Sequence, residues 1–130
     1  MTSDAGIWVV AGLEVVAAVG IAVFWFTWFR EEHDQPWLPA GYVQHERVFV
    51  FPDAVLAALL VVSAGLLVAE EPLGRSLSLL CAGMLAFLGI LDGAYFWQTA
   101  LFARDRGGVT NAAVVVAVLA LSVLLLAVFA

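Results

Sequence analysis

The sequence has no lysine, one cysteine and few charged residues of any kind. Its five basic residues are all arginines and face eleven acidic residues, so the formal net charge is −6. Binding to nucleic acid, or to anionic lipid through a polybasic segment, needs clusters of basic side chains. The composition therefore argues against both functions. The lone Cys81 excludes an intrachain disulfide, and its apolar surroundings favour a small buried hydrophobic side chain.

Apolar sequence is what the chain has in abundance. Hydrophobic residues make up 65% of its 130 residues, whereas a soluble domain is about half apolar. They fall in four long segments, and a helix of about 20 apolar residues crosses a bilayer. The pattern predicts an all-α integral membrane protein, a four-helix transmembrane bundle that forms one domain over residues 1–130. The predicted helices cover residues 7–29, 48–69, 76–103 and 109–130.

The longest connection, residues 30–47, is predicted to be a loop at the membrane interface. Pro36 and Pro39 exclude a regular helix through its middle. Four of the five arginines flank this loop or lie in the turn at 104–108: Arg30, Arg47, Arg104 and Arg106. The positive-inside rule places both loops in the cytoplasm and both termini outside. We expect the protein in a bacterial or archaeal cell membrane.

Three acidic residues, Glu14, Asp53 and Asp92, fall inside apolar segments. A central carboxylate costs about 2.5–3.5 kcal/mol on membrane-insertion scales, so each residue is a candidate functional site. Asp92 is the foremost candidate, because it lies well inside the third segment. Structural roles remain open for all three residues and have the least support for Asp92. Asp53 would be an acid at a helix start, and Glu14 would be a neutral group that hydrogen-bonds another helix.

Helical rise predicts which polar groups meet across the bundle. The pairs matched in depth from the arginine side, at about 9, 18 and 24 Å, are Asp53 with Gln98, Asp92 with Ser122, and Glu14 with Ser63. Tyr95 shares a helix face with Asp92 and is a candidate hydrogen-bond donor to it. Together these groups would form a polar ladder through the bundle.

The sequence favours a proton- or ion-coupled transporter or a channel-like protein that uses these carboxylates. Four short helices enclose little space, so we expect a homo-oligomer to form the pathway within the lipid bilayer. The alternative is a non-catalytic accessory or scaffold subunit of a larger membrane complex, with the polar residues joining its helices. A third hypothesis is a membrane enzyme or a lipid- or quinone-binding protein with its site under the 30–47 loop.

Other chemistry has little support in the sequence. No predicted helix contains a histidine, which argues against a haem held by two histidines within the membrane. His33 and His45 lie in the charged loop, and their spacing is not diagnostic of a metal site. Neither a nucleophile paired with a base nor a glycine-rich phosphate loop stands out. We therefore predict no cofactor and no catalytic residue, and favour a protein that is not an enzyme.

Overall fold

Long apolar helices make up most of the structure. A computed structural model describes residues 4–130, so the first three residues of the predicted 1–130 domain lie outside the described range. The α-helices are α1 (Asp4–Arg30), α2 (Tyr42–Arg47), α3 (Val50–Val68), α4 (Pro72–Gln98) and α5 (Gly108–Phe129), and one 3-10 turn covers Arg104–Arg106. The all-α prediction is confirmed for this range.

Four spans are long and apolar enough to cross a membrane. They are α1, the segment Tyr42–Val68 that joins α2 and α3, α4, and α5. The shortest, α5, has 22 residues, which corresponds to about 33 Å of helix against a hydrocarbon core of about 30 Å. Large apolar side chains such as Phe51 and Trp97 lie on the outer surface, 78% and 79% exposed. An outer surface of this kind is compatible with lipid.

The helices pack in chain order: α1 against α3, α3 against α4, and α4 against α5. One core joins all four, with Leu60 of α3, Cys81 of α4 and Leu125 of α5 fully buried in it. The Arg75 Nε donates a hydrogen bond of 2.7 Å to the carbonyl of Phe129, so the start of α4 lies beside the end of α5. Neighbouring helices are therefore antiparallel.

The second span starts earlier than the predicted residue 48. Tyr42–Arg47 is helical, and Val48 and Phe49 keep right-handed helical dihedral angles before α3 begins. Pro52 has no N–H to donate to the carbonyl of Val48, and this explains the interruption between α2 and α3. The predicted interfacial loop of 30–47 is therefore wrong over its last turn and a half, which is α2.

The third span is shifted relative to the predicted 76–103. It begins at Pro72, because proline is well suited to the first turn of a helix. It ends at Gln98, because Ala100 adopts a left-handed conformation with φ 59° and the N–H of Leu101 bonds the carbonyl of Phe96 at 2.8 Å. Asp92 consequently lies only about 9 Å from the end of its helix, and the prediction of a helix that continues towards Arg104, on which the depth of about 18 Å is based, is wrong.

Candidate functional site

Three carboxyl groups converge near the end of the bundle that carries the 30–47 connection. Glu46 interacts electrostatically with Asp53 and Asp92, and Asp92 also interacts with Asp53. We call Glu46, Asp53 and Asp92 the acidic cluster. Its members come from α2, α3 and α4, so its assembly depends on the packing of three helices.

The members of the acidic cluster are held in different ways. Glu46 is 6% exposed, and its Oε1 is buried without a hydrogen-bond partner in the described part of the chain. Asp53 lies in the first turn of α3, and its Oδ2 accepts a 2.8 Å hydrogen bond from the indole Nε1 of Trp25. Asp92 is half-buried. The cluster thus combines one carboxyl fixed by α1 with two that retain hydrogen-bonding capacity.

The stacked rings of His45 and Tyr95 join α2 to α4 beside the cluster. Their centroids are 3.8 Å apart, with an interplanar angle of 9°. The predicted hydrogen bond from Tyr95 to Asp92 is not among the hydrogen bonds of residues 4–130. Stacking on His45 orients the Tyr95 ring instead. The Nε2 of His45 is buried and has no hydrogen-bond partner within that range.

The connection between α1 and α2 folds over this end of the bundle. His33 stacks on Trp28 with ring centroids 4.2 Å apart, and its Nε2 lies 2.9 Å from the Trp28 carbonyl. Leu38 and Tyr42 pack against a small core whose buried members are Phe96, Leu101 and Val115. His33 and His45 therefore have separate aromatic partners. Within residues 4–130 no group of three or more His, Cys, Asp or Glu side chains has the arrangement of a metal site.

A second polar centre surrounds Glu14, which is fully buried. Its Oε2 accepts hydrogen bonds from Ser63 Oγ at 3.1 Å and from Ser78 Oγ at 3.0 Å. The two serine oxygens are 2.6 Å apart, and Ser63 Oγ also lies 3.1 Å from the Gly74 carbonyl oxygen. We call these four residues the Glu14 centre. It joins α1, α3 and α4, and Glu14 Oε1 is buried there without a hydrogen-bond partner in residues 4–130.

The predicted contact between Glu14 and Ser63 is confirmed, and the other two predicted pairs are wrong. Ser122 Oγ donates to the carbonyl of Ala82 at 2.7 Å, not to Asp92. Gln98 is exposed in the last turn of α4, and Asp53 bonds Trp25 instead. The early end of α4 explains both errors, because it moves Asp92 and Gln98 towards the loops.

In the described part of the chain the polar groups therefore form two separate centres, and no continuous ladder joins them. About 15 Å of α3 separates Asp53 of the acidic cluster from Ser63 of the Glu14 centre. Sequence reasoning misses Ser78 and Glu46. A sequence signal for Ser78 exists, because Ser78 follows the Glu70–Pro72 turn at nearly the same separation at which Ser63 precedes it. Two antiparallel helices joined by that turn bring such positions together. Glu46 lies in a charged stretch, and only the formation of α2 buries it.

An apolar groove runs between α3 and α4 and reaches the acidic cluster. Its volume is about 500 Å³. Among the residues that line this α3–α4 groove, Asp53 alone is ionisable. The others include Pro52, Leu56, Gly83, Met84 and Phe87. The groove thus offers a long apolar surface with one carboxyl group in its wall.

Comparisons with known proteins give no family for this chain. No protein-family model matches it, and neither the curated proteins nor the solved structures give a significant match.

Proposed function

We propose that the protein is an integral membrane protein that carries protons or small cations, with the acidic cluster as the exchange site. The four apolar spans support its residence in the membrane. The observation that carries the proposal is a set of three interacting carboxyl groups, two of which, Glu46 and Asp53, are buried, with Glu46 Oε1 lacking a hydrogen-bond partner in residues 4–130.

Like charges that are close together and withdrawn from water repel each other strongly. A proton or a cation bound among the three carboxyls offsets this repulsion, and its release restores it. Ionisable groups in membrane spans commonly mark such ion pathways and proton relays. Asp92 is the central group in this proposal, because it is half-buried and interacts with both other carboxyls. Glu46 adds a buried oxygen with free hydrogen-bonding capacity.

Residues 4–130 of a single copy offer no continuous polar path between the two centres, so the proposed pathway is completed between subunits of a homo-oligomer. The arginine-rich end, with Arg30, Arg47 and the 104–108 turn, is proposed to face the cytoplasm of a bacterial or archaeal cell. The acidic cluster then opens towards the cytoplasmic side, and the Glu14 centre lies towards the outer side.

An accessory or scaffold subunit is the alternative. The hydrogen bonds that join neighbouring helices favour it: Trp25 to Asp53, Ser78 to Glu14, and Ser122 to Ala82. Bonds of this kind fix which helices pair, although each contributes only about 0.6 kcal/mol on average in a membrane. This alternative predicts a stoichiometric partner on purification and no ion flux by the chain alone.

Proton flux into liposomes tests the proposal through Asp92→Asn. Asparagine keeps the shape of the side chain but cannot exchange a proton at neutral pH. We expect roughly a hundredfold lower flux, the lower end of what a positioned proton-transfer group contributes. The measurement uses purified protein in liposomes, a potential set by potassium and valinomycin, and an internal pH-sensitive dye.

Asp105→Asn is the matched control, because Asp105 is exposed in the 3-10 turn. This variant is expected to keep the flux of the unmodified protein. Equal helix content and equal elution volume in detergent show that both variants are folded. Normal flux through Asp92→Asn would rule out the proposed role of Asp92. A folded, unmodified protein that carries no flux would rule out transport by the chain alone.

A further inference from the structure

The α3–α4 groove has the size and the wall of a ligand site. Its volume of about 500 Å³ lies within the roughly 300–1,000 Å³ of small-molecule pockets. Leu80 and Phe87, which line it, are 50% and 68% exposed, so the groove opens on the apolar outer surface of the protein. A ligand that is dissolved in the bilayer can therefore enter from the side.

The polar chemistry of the groove is confined to Asp53. Its Oδ2 accepts the indole hydrogen of Trp25, while its Oδ1 makes no hydrogen bond to protein within residues 4–130. Glu46 and Asp92 interact electrostatically with Asp53. A ligand that occupies this groove thus meets an apolar wall and, at one end, a carboxyl group that belongs to the acidic cluster.

We propose that the α3–α4 groove binds a lipophilic amine, with its ammonium group at Asp53 and its apolar body between α3 and α4. An ammonium group complements the charge of the acidic cluster, and its N–H donors suit the free oxygen of Asp53. A neutral hydrocarbon chain can pack against the same apolar residues, but it has no N–H donor and no positive charge to interact with the Asp53 carboxyl. The assignment shares the membrane location and the acidic cluster with the proposed function, but it does not require that protons move.

Gly83→Leu tests the body of the groove. Gly83 lines the groove, and a Cβ added there meets no atom within 4 Å, so a larger side chain fits without a backbone clash and fills the space. Gly12→Leu is the matched control, because Gly12 of α1 is equally unobstructed and exposed but lies outside the groove. Asp53→Asn tests the charge, and its amide oxygen can still accept the hydrogen bond from Trp25.

The experiment is photolabelling in lipid nanodiscs with a long-chain alkylamine that carries a diazirine, compared with the alcohol of the same chain. Mass spectrometry locates the label. We expect saturable labelling by the amine around Met84 and Phe87, and at least about tenfold less labelling in Asp53→Asn and in Gly83→Leu. Gly12→Leu is expected to label like the unmodified protein.

Equal labelling by the amine and the alcohol, unaffected by Asp53→Asn, would overturn the proposal and identify the groove as a site for lipid chains in general. Labelling that persists in Gly83→Leu would also overturn it. If Asp53→Asn fails to fold, the labelling of Gly83→Leu and the comparison of the amine probe with the alcohol probe still test the proposal. No ion gradient is used, so this test and the flux test of Asp92→Asn fail independently.

Discussion

Replacing Gly74 with alanine is expected to lower the free energy of unfolding by about 3 kcal/mol, the upper part of the range for over-packed cores. A Cβ at this position would lie 2.7 Å from the backbone N of Leu67 and 2.9 Å from the backbone C of Leu66. Both atoms belong to the last turn of α3. They cannot yield in the way that the end of a flexible side chain can, so the two helices must separate.

This separation also affects the Glu14 centre. The carbonyl oxygen of Gly74 lies 3.1 Å from Ser63 Oγ, and a shift of α4 away from α3 lengthens that contact. It also draws Ser78, one turn further along α4, away from Ser63. The loss of stability is therefore expected to include weakened hydrogen bonds in addition to the steric clash.

Gly83→Ala is the control for Gly74→Ala, because it adds the same methyl group to the same helix in open space. It is expected to leave stability unchanged or to raise it by about 0.5–1 kcal/mol, since glycine is the poorer helix former. Gly89→Ala should fall between them, because its Cβ would meet the flexible Leu119 side chain. Unfolding in mixed micelles by titration with SDS, followed by circular dichroism, gives the three values. Equal stability of Gly74→Ala and Gly83→Ala would show that the α3–α4 turn relaxes freely.

The number and type of the long helices follow from the sequence, whereas the start of the second span and both ends of the third do not. Long apolar runs can satisfy their backbone in a membrane only as helices, so the four spans are predictable. The end of α4 is not, because Leu101 and Phe102 continue the apolar run and the left-handed residue that closes the helix is Ala100, where glycine would be the usual signal. An error of one turn at this point misplaces Asp92 and its neighbours in depth.

Two of the three members of the acidic cluster could be predicted from the sequence, and the third, Glu46, could not. Asp53 and Asp92 stand out as acids in apolar sequence, but Glu46 is surrounded by polar residues and resembles a solvated loop residue. Its burial depends on α2, which packs through His45 against Tyr95 of α4. A contact between residues so far apart in the chain leaves no periodic signal in a single sequence.

Two similar aromatic pairs show how packing overrides local sequence. Phe24–Trp25 lies in the last two turns of α1 and Phe96–Trp97 in the last turn of α4, and both resemble anchors at a membrane interface. Trp25 is 8% exposed and bonds Asp53, whereas Trp97 is 79% exposed. In the second pair Phe96 is the buried member. The side of the helix that faces a neighbour decides which ring is structural, and the dipeptide alone does not contain this information.

Replacing Glu14 with alanine is expected to lower the free energy of unfolding by about 3 kcal/mol, a typical value for truncating a large buried side chain. Glu14 is fully buried among three helices, so its removal leaves a cavity and deprives Ser63 and Ser78 of their shared acceptor. Ser78→Ala alone removes one hydroxyl from the same centre. Because the two residues bond each other, the double variant should lose less than the sum of the single losses. We expect a coupling energy of about 0.6–1.7 kcal/mol, which spans the average and the largest value measured for hydrogen bonds between helices in a membrane.

The control is the double-mutant cycle that combines Glu14→Ala with Ser122→Ala. Ser122 bonds the Ala82 carbonyl and shares no hydrogen-bond partner with Glu14 among residues 4–130. Its effect should add to that of Glu14→Ala within about 0.3–0.5 kcal/mol.

Glu14→Gln keeps an acceptor oxygen for both serines and nearly the same volume, so it should recover most of the stability that alanine loses. Additivity of Glu14→Ala with Ser78→Ala would contradict a cooperative centre and reduce Glu14 to a space-filling role. A Glu14→Gln variant as unstable as Glu14→Ala would instead mean that the centre requires a carboxyl group. Glu14 would then rejoin Asp92 as a candidate for ion exchange, despite the separation of the two centres.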